Sequence, residues 1–159
     1  MSKEGTKAVQ YSKEELIAHF NSTREDSVLN VLDIKLVEAE KDRVVATMPI
    51  GPNQRQPVGY LHGGVSVVLA ESLASLGSVL NIDVDKQMAF GLEINANHLR
   101  PKRDGMLTGV AVPISRGRTT HVWDIRITDE NDKLICISRC TVAIVDRPPD
   151  NGNPLGKLM

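Results

Sequence analysis

The chain has 159 residues, with 19 Lys and Arg against 20 Asp and Glu, and a formal net charge of −1. That length suits one domain with a substantial core, since domains most often run to about 100–150 residues. The balanced charge excludes a long-range pull toward nucleic acid or an anionic membrane, so any anionic ligand must be held by local Lys and Arg clusters and a small molecule is the expected partner.

Residues 1–11 read as a disordered N-terminus; MSKEGTKAVQ lacks the apolar core of a secretion signal. No later window approaches the roughly 18 apolar residues of a spanning helix. The expectation is a soluble, cytoplasmic chain. Ser12 followed by Glu15 makes a capping box ahead of Leu16, Ile17 and Phe20, which predicts a short amphipathic helix over residues 12–22. Val31–Glu40 and Arg43–Ile50 roughly alternate apolar and polar residues around Lys41–Asp42, the pattern of a β-hairpin. GPNQRQPVG, residues 51–59, reads as a loop.

The run VSVVLAESLASLGSVL, residues 65–80, repeats Val65, Val68, Leu69, Leu76, Val79 and Leu80 at helical spacing, and Glu71 is its only charge. A helix apolar nearly all round must be covered by a sheet or by a partner chain. Four strands are predicted after it, over Met88–Leu99, Gly105–Ile114, His121–Thr128 and Lys133–Val145, the last two joined by the turn sequence DEND. The class is therefore α+β, an antiparallel sheet of five or six strands around one long central helix, in a domain spanning residues 12–146. The tail RPPDNGNPLGKLM, residues 147–159, is Pro/Gly/Asn-rich and expected to be disordered.

Cys136 and Cys140 sit four apart in a strand, about 13 Å at the usual rise, which precludes a bridge between them. Neither CxxC nor HExxH occurs, and His19, His62, His98 and His121 have no metal-ligand spacing, so no metal is expected.

The chemistry gathers at the central helix. Gly63 and Gly64 stand at its start, where the first N–H groups lack intrahelical acceptors and the dipole is positive. Glycine there lets a carbonyl come close to donors for a developing oxyanion, although a turn needing unusual dihedrals would also call for it. Glu71 lies two turns on, about 10–12 Å along the axis. One small electrophile cannot touch both ends of that span. If both serve one reaction centre, they come from two copies of the helix lying antiparallel, which implies a homodimer. Glu71, Ser75 and Ser78 share a stripe by spacing, so Ser75 could hold a water beside the carboxylate. The plainer readings of Glu71 are a buried salt bridge or an acid facing solvent. Two basic clusters, Arg100–Lys102–Arg103 and Arg116–Arg118, read by default as solvated surface charge.

HGGVSVVLAES resembles the hotdog-fold acyl-CoA thioesterases, in their glutamate-type branch with 4-hydroxybenzoyl-CoA thioesterase, the enterobactin proofreading thioesterase and 1,4-dihydroxy-2-naphthoyl-CoA hydrolase. QPVGYLHGG, LEINANHLRP and SRGRTTHVWDIRI extend the likeness in the same order, from the first helix to Val145. The resemblance implies a hotdog fold and hydrolysis of an acyl-CoA, with an aromatic acyl group favoured and no cofactor. It makes Glu71 the nucleophile or general base and the Gly64 amide the donor to the thioester carbonyl, with Gly63 supporting the turn. Gln56 falls near the thioester, His62 at the helix entrance, Ser75 beside the water and His98 near the acyl group. Coenzyme A carries a pyrophosphate and a 3′-phosphate, for which Arg116, Gly117 and Arg118 are the better cluster and Arg100 the second. The expected assembly is a homotetramer, a dimer of dimers. The rival functions are a non-catalytic acyl-CoA-binding hotdog module and a hydratase, the latter needing an Asp/His arrangement not found here.

Overall fold

A computed structural model describes residues 13–22 and 25–148. The termini expected to be disordered, up to residue 11 and beyond residue 148, lie outside the described residues, as does Ser12 of the capping box. The elements in chain order are α1 (Lys13–Ser22), α2 (Val28–Val31), β1 (Lys35–Glu40), β2 (Arg43–Pro49), α3 (Gly63–Val79), β3 (Gln87–His98), β4 (Met106–Arg116), β5 (Thr120–Asp129) and β6 (Leu134–Asp146). The six strands form one antiparallel sheet in the order β1-β2-β4-β5-β6-β3, with α3 packed against β2 through β6.

Consecutive hairpins build the sheet as the alternating pattern requires, but β3 crosses over to pair with β6 and forms the second edge. Alternation is clearest in β5, where His121, Trp123, Ile125, Ile127 and Asp129 all turn inward. DEND closes the β5–β6 turn through the Asp129 carboxylate, whose Oδ1 accepts from Asn131 N and Lys133 N at 2.9 and 3.0 Å. Burial pushes the Asp129 carboxyl up, but these two N–H groups and Lys102 outweigh it and hold the group below its ordinary value.

Two expectations are corrected. The first hairpin does not begin at Val31: residues 28–31 form the turn of α2, Asp33 takes φ 52°, and pairing starts only at Lys35. The 51–59 loop contains a 3₁₀ turn over Pro52–Gln54 whose Gln54 is buried, donating to Leu32 O at 2.7 Å and accepting from Gly51 N at 2.9 Å. At the other end, Arg147 is tied to the α3–β3 connection, its N–H reaching Lys86 O at 2.7 Å and its Nε Val84 O at 3.0 Å.

The edge at β1 is guarded by α1, whose Asn21 side chain bonds Leu36 O and Leu36 N at 3.0 and 2.9 Å as a neighbouring strand would. The core is centred on Trp123, fully buried under α3. Helix and ring approach closely because Gly77 has no side chain; a Cβ there would stand 2.5 Å from Trp123 Cη2. The indole Nε1–H donates to Ser78 Oγ at 2.9 Å. Ser78 thus turns into the core instead of sharing a wet face with Glu71 and Ser75. Cys136 and Cys140 lie along β6 as free, buried thiols.

Removing the Ser78 hydroxyl strands a buried donor. Ser78→Ala is expected to lower unfolding stability by about 1–3 kcal/mol, read as a lower denaturant midpoint at an unchanged m-value.

Candidate active site

The segment entering α3 is a tight, hydrogen-bonded excursion. Arg55 and Leu61 form a bridge, Gln56 N donates to Tyr60 O at 2.8 Å, and Gly59 at φ 85° makes the reversal between them. His62 N then donates to Gln54 O at 2.8 Å and Leu61 N to Lys102 O at 2.7 Å, so the helix entrance is anchored to two other segments.

His62 is the N-cap. Its Nδ1 accepts from Gly64 N at 2.9 Å, and its carbonyl accepts from Val65 N at 3.0 Å. This changes the assignment of the glycines. The Gly64 amide, expected to be the oxyanion donor, is engaged by the cap, whereas the Gly63 N–H has no acceptor among the described residues. Gly63 faces a cavity of about 350 Å³ that Gln56, Ser66, His98 and Arg100 also line. The His98 ring lies directly against Gly63: a Cβ there would stand 2.8 Å from its Nε2. Ser66 is buried one turn along the helix, and its Oγ has no partner among the described residues. Sequence reasoning missed Ser66, because an orphaned hydroxyl is visible only in coordinates.

Glu71 lies elsewhere. It lines a second cleft, of about 670 Å³, with Ser72 and Ser75 beside it and Phe20, Leu29 and Leu76 among the apolar walls. Ser72 Oγ is bonded to Val68 O at 2.6 Å, while the Ser75 hydroxyl has no partner among the described residues. The Glu71 carboxylate rests on the backbone of Gly91 in β3. Below it on β6, burial pushes the Cys140 thiol up to about 12, with the charges of Glu71 and Glu93 adding to the effect. A thiol so raised is protonated at neutral pH and is no nucleophile. Gln56, Gly63, His98 and Arg100 are therefore brought together at the head of α3, and Glu71 with Ser75 in a cleft about 12 Å further along its axis.

The basic residues also divide. Arg116 Nη1 donates to Lys41 O at 3.1 Å and Asn81 Oδ1 at 2.9 Å, tying β4 to the β1–β2 turn and to the exit of α3. Gly117 N donates to Thr120 O at 2.8 Å in the β4–β5 turn, and Arg118 is exposed beside it. Arg100 stands at the opposite end of α3 with Nη1 on Leu134 O at 2.6 Å. Lys102 is committed to Glu130 and Asp129, chiefly Glu130, which hold its amine above the ordinary value. His121, buried near Arg116, has an Nδ1 with no partner among the described residues, and burial together with that guanidinium holds its imidazole below the usual range. No group of His, Cys, Asp or Glu among the described residues is arranged to hold a metal ion, and no helix among them is long and apolar enough to cross a membrane.

A six-stranded antiparallel sheet packed on one long helix is the hotdog fold. The signature of the thioesterase superfamily matches residues 58–136. A 1,4-dihydroxy-2-naphthoyl-CoA hydrolase of Listeria monocytogenes is 51% identical over 113 residues, covering 71% of this chain and 91% of that protein. Among solved structures, a mutant thioesterase from Pseudomonas aeruginosa matches with a TM-score of 0.80 at 44% identity, over 82% of this chain and 94% of its own. A Staphylococcus aureus protein, solved as a glutamate-to-alanine mutant, matches with a TM-score of 0.74 at 43% identity, over 76% of this chain and 99% of its own. The chain belongs to the thioesterase superfamily, and its activity is thioester hydrolysis.

With Gly64 N capped by His62, loss of that imidazole frees a helix-end donor. His62→Ala is expected to cost about 1 kcal/mol, lowering Tm by about 2–4 °C in a thermal melt.

Proposed function

We propose that the chain hydrolyses a small aromatic acyl-CoA to the free acid and coenzyme A, at a site shared between two copies. One observation carries this reading: the unpaired Gly63 N–H and Glu71 sit on one rigid helix yet open into separate cavities. Two copies of α3 lying antiparallel would bring the donor of one opposite the carboxylate of the other. The edge strand β3 supplies the seam, since its outer side has no strand partner among the described residues and Phe90 and Leu92 are 51% and 66% exposed. By the resemblance, two such dimers pair into a tetramer.

In this arrangement the Gly63 N–H, pointing where negative charge develops, polarises the thioester carbonyl, with the Gln56 side chain beside it. Glu71 of the other copy acts as base or nucleophile. As base it takes a proton from water held by Ser75, the water oxygen bonds to carbon, the C–S bond breaks, and the proton passes to the departing thiolate. A thiol of pKa about 8.5 leaves without a strong general acid, so the proton that Glu71 has taken from water suffices. The cleft beside Glu71, walled by Phe20, Val28 and Leu29, would take the acyl group; its apolar lining suits a ring better than a charged chain. The name of the Listeria relative, a 1,4-dihydroxy-2-naphthoyl-CoA hydrolase, points to an acyl group of that kind. Arg118 is the candidate for the phosphates of coenzyme A at one end, and at the other Arg100 offers the guanidinium N–H groups not spent on Leu134 O, since Arg116 and the Gly117 amide are more fully engaged within the fold. The Staphylococcus protein has been solved as glutamine-to-alanine and glutamate-to-alanine mutants at positions fifteen residues apart, the separation of Gln56 and Glu71 here.

Thiol release from benzoyl-CoA and an alkyl-CoA panel tests the chemistry. Glu71→Ala is expected to reduce the rate by at least about 10²-fold; unchanged turnover removes Glu71 from the mechanism, and tight acyl-CoA binding without turnover in the unmutated protein would establish a binding module instead.

A second measurement tests the shared site. Glu71→Ala and Gly63→Ala proteins, the second disabled because its added Cβ would meet His98 Nε2 at 2.8 Å and displace the donor, are each expected to be nearly inactive alone and to regain about one quarter of full activity when unfolded together and refolded, because half of the random dimers then carry one intact site of two. Absence of recovery in demonstrably mixed dimers would place donor and carboxylate in the same copy.

A further inference from the structure

The geometry points to Gly91, with the β-bulge that follows it, as the positioning device for the Glu71 carboxylate, an inference that rests on the reading of Glu71 given above. Two observations on β3 carry it. First, Glu71 Oε1 occupies the space that any side chain at position 91 would fill; a Cβ there would overlap this oxygen and stand 3.1 Å from Glu71 Cδ. The carboxylate therefore has its place only because residue 91 has no Cβ. Second, the pairing of β3 with β6 slips between Gly91 and Glu93: Gly91 faces Val142, Glu93 faces Thr141, and Leu92 is extra.

The slip has a consequence for both ends of the site. Side chains alternate along a strand, so residues an odd number apart point to opposite faces. Gly91 and His98 are separated by seven positions, yet both face α3, one against Glu71 and the other against Gly63. The residues packed inward change parity across the bulge, from Ala89 before it to Ile94 and Ala96 after it. A regular strand presenting Gly91 to Glu71 would turn His98 away from the helix entrance. One inserted residue lets a single strand register both the carboxylate and the head of α3.

A purely structural role for Gly91 predicts the opposite of what this role predicts. Glycine within a strand is unfavourable relative to alanine, so Gly91→Ala should leave the fold as stable or more stable. If Gly91 seats the carboxylate, the same change forces Glu71 aside by the width of a methyl group. Displacement of a reacting group by about 1 Å can cost on the order of 10²-fold in rate. The added Cβ points at α3 and leaves the backbone edge of β3 free, so assembly should persist.

The experiment compares Gly91→Ala in the unmutated protein and in a Glu71→Asp background, with kcat and KM for benzoyl-CoA, Tm and oligomeric mass read for each. The expected result is a loss in kcat on the order of 10²-fold with Tm and mass unchanged, and a much smaller additional loss beside the shorter aspartate, which withdraws from the new methyl group. Wild-type kcat in Gly91→Ala would overturn the inference. So would an equal loss in both backgrounds, which would show that Gly91 acts other than through Glu71. Full activity of Glu71→Ala, measured separately, would instead overturn the assignment of Glu71 itself.

Discussion

The structure depends on the burial of one face of α3 against the sheet. Ser66, Leu69, Ala70, Leu73, Ala74, Gly77 and Ser78 form that face, and the small residues among them let Trp123 come up to the helix backbone. A helix so seated cannot slide or roll without opening a void in a close-packed interior. Its rise of 1.5 Å per residue therefore becomes a fixed distance between the head of the helix and Glu71. Both ends are held as well: His62 caps one, and Asn81, bonded to Lys41 O, Gly77 O and Arg116, secures the other.

Away from that packing the helix is less finished. The Gly63 N–H at its head and the Ser75 hydroxyl on its far side have no partners among the described residues, and Val67, Val68, Leu76 and Val79 are only half buried. In a finished interior such groups would each cost free energy. These unpaired groups and half-buried side chains, beside an edge strand whose outer side is unpaired among the described residues, are what the proposed contacts with substrate and with a second copy would cover. Trp123 packs on the buried face of α3, and the proposed chemistry draws on the head of the helix and its far side.

Much of this was legible in the residues. The spacing of Val65, Val68, Leu69 and Leu76 located α3 to within two residues at its start and one at its end, because a long buried helix repeats one pattern many times. The later strands were located equally well by alternation. The α2 turn was not: Val31 read as the start of a strand, whereas residues 28–31 form a helical turn and the positive φ of Asp33 separates it from β1. The adjacent glycines marked the helix entrance but not which amide is free. That depends on the rotamer of His62, a choice that no spacing rule records. Arg116 likewise stood as a phosphate ligand through the resemblance, and its engagement with Lys41 and Asn81 follows from tertiary contacts 75 and 35 residues away in sequence.

The bulge in β3 shows why a pattern can be correct and still incomplete. Alternation identifies β3 as a strand from its composition, and Ala89, Ile94 and Ala96 all pack inward, but these three do not share one parity. Read as a regular strand, the pattern is imperfect and gives no reason for its imperfection. The reason lies in the two contacts that β3 makes with α3: Gly91 meets Glu71 and His98 meets Gly63, and positions seven apart on a regular strand point to opposite faces. The extra residue at Leu92 turns both toward the helix. The register of an edge strand is thereby subordinated to the spacing of groups on a helix it packs against, so a fault in the β pattern of this chain is also where its fold and its chemistry meet.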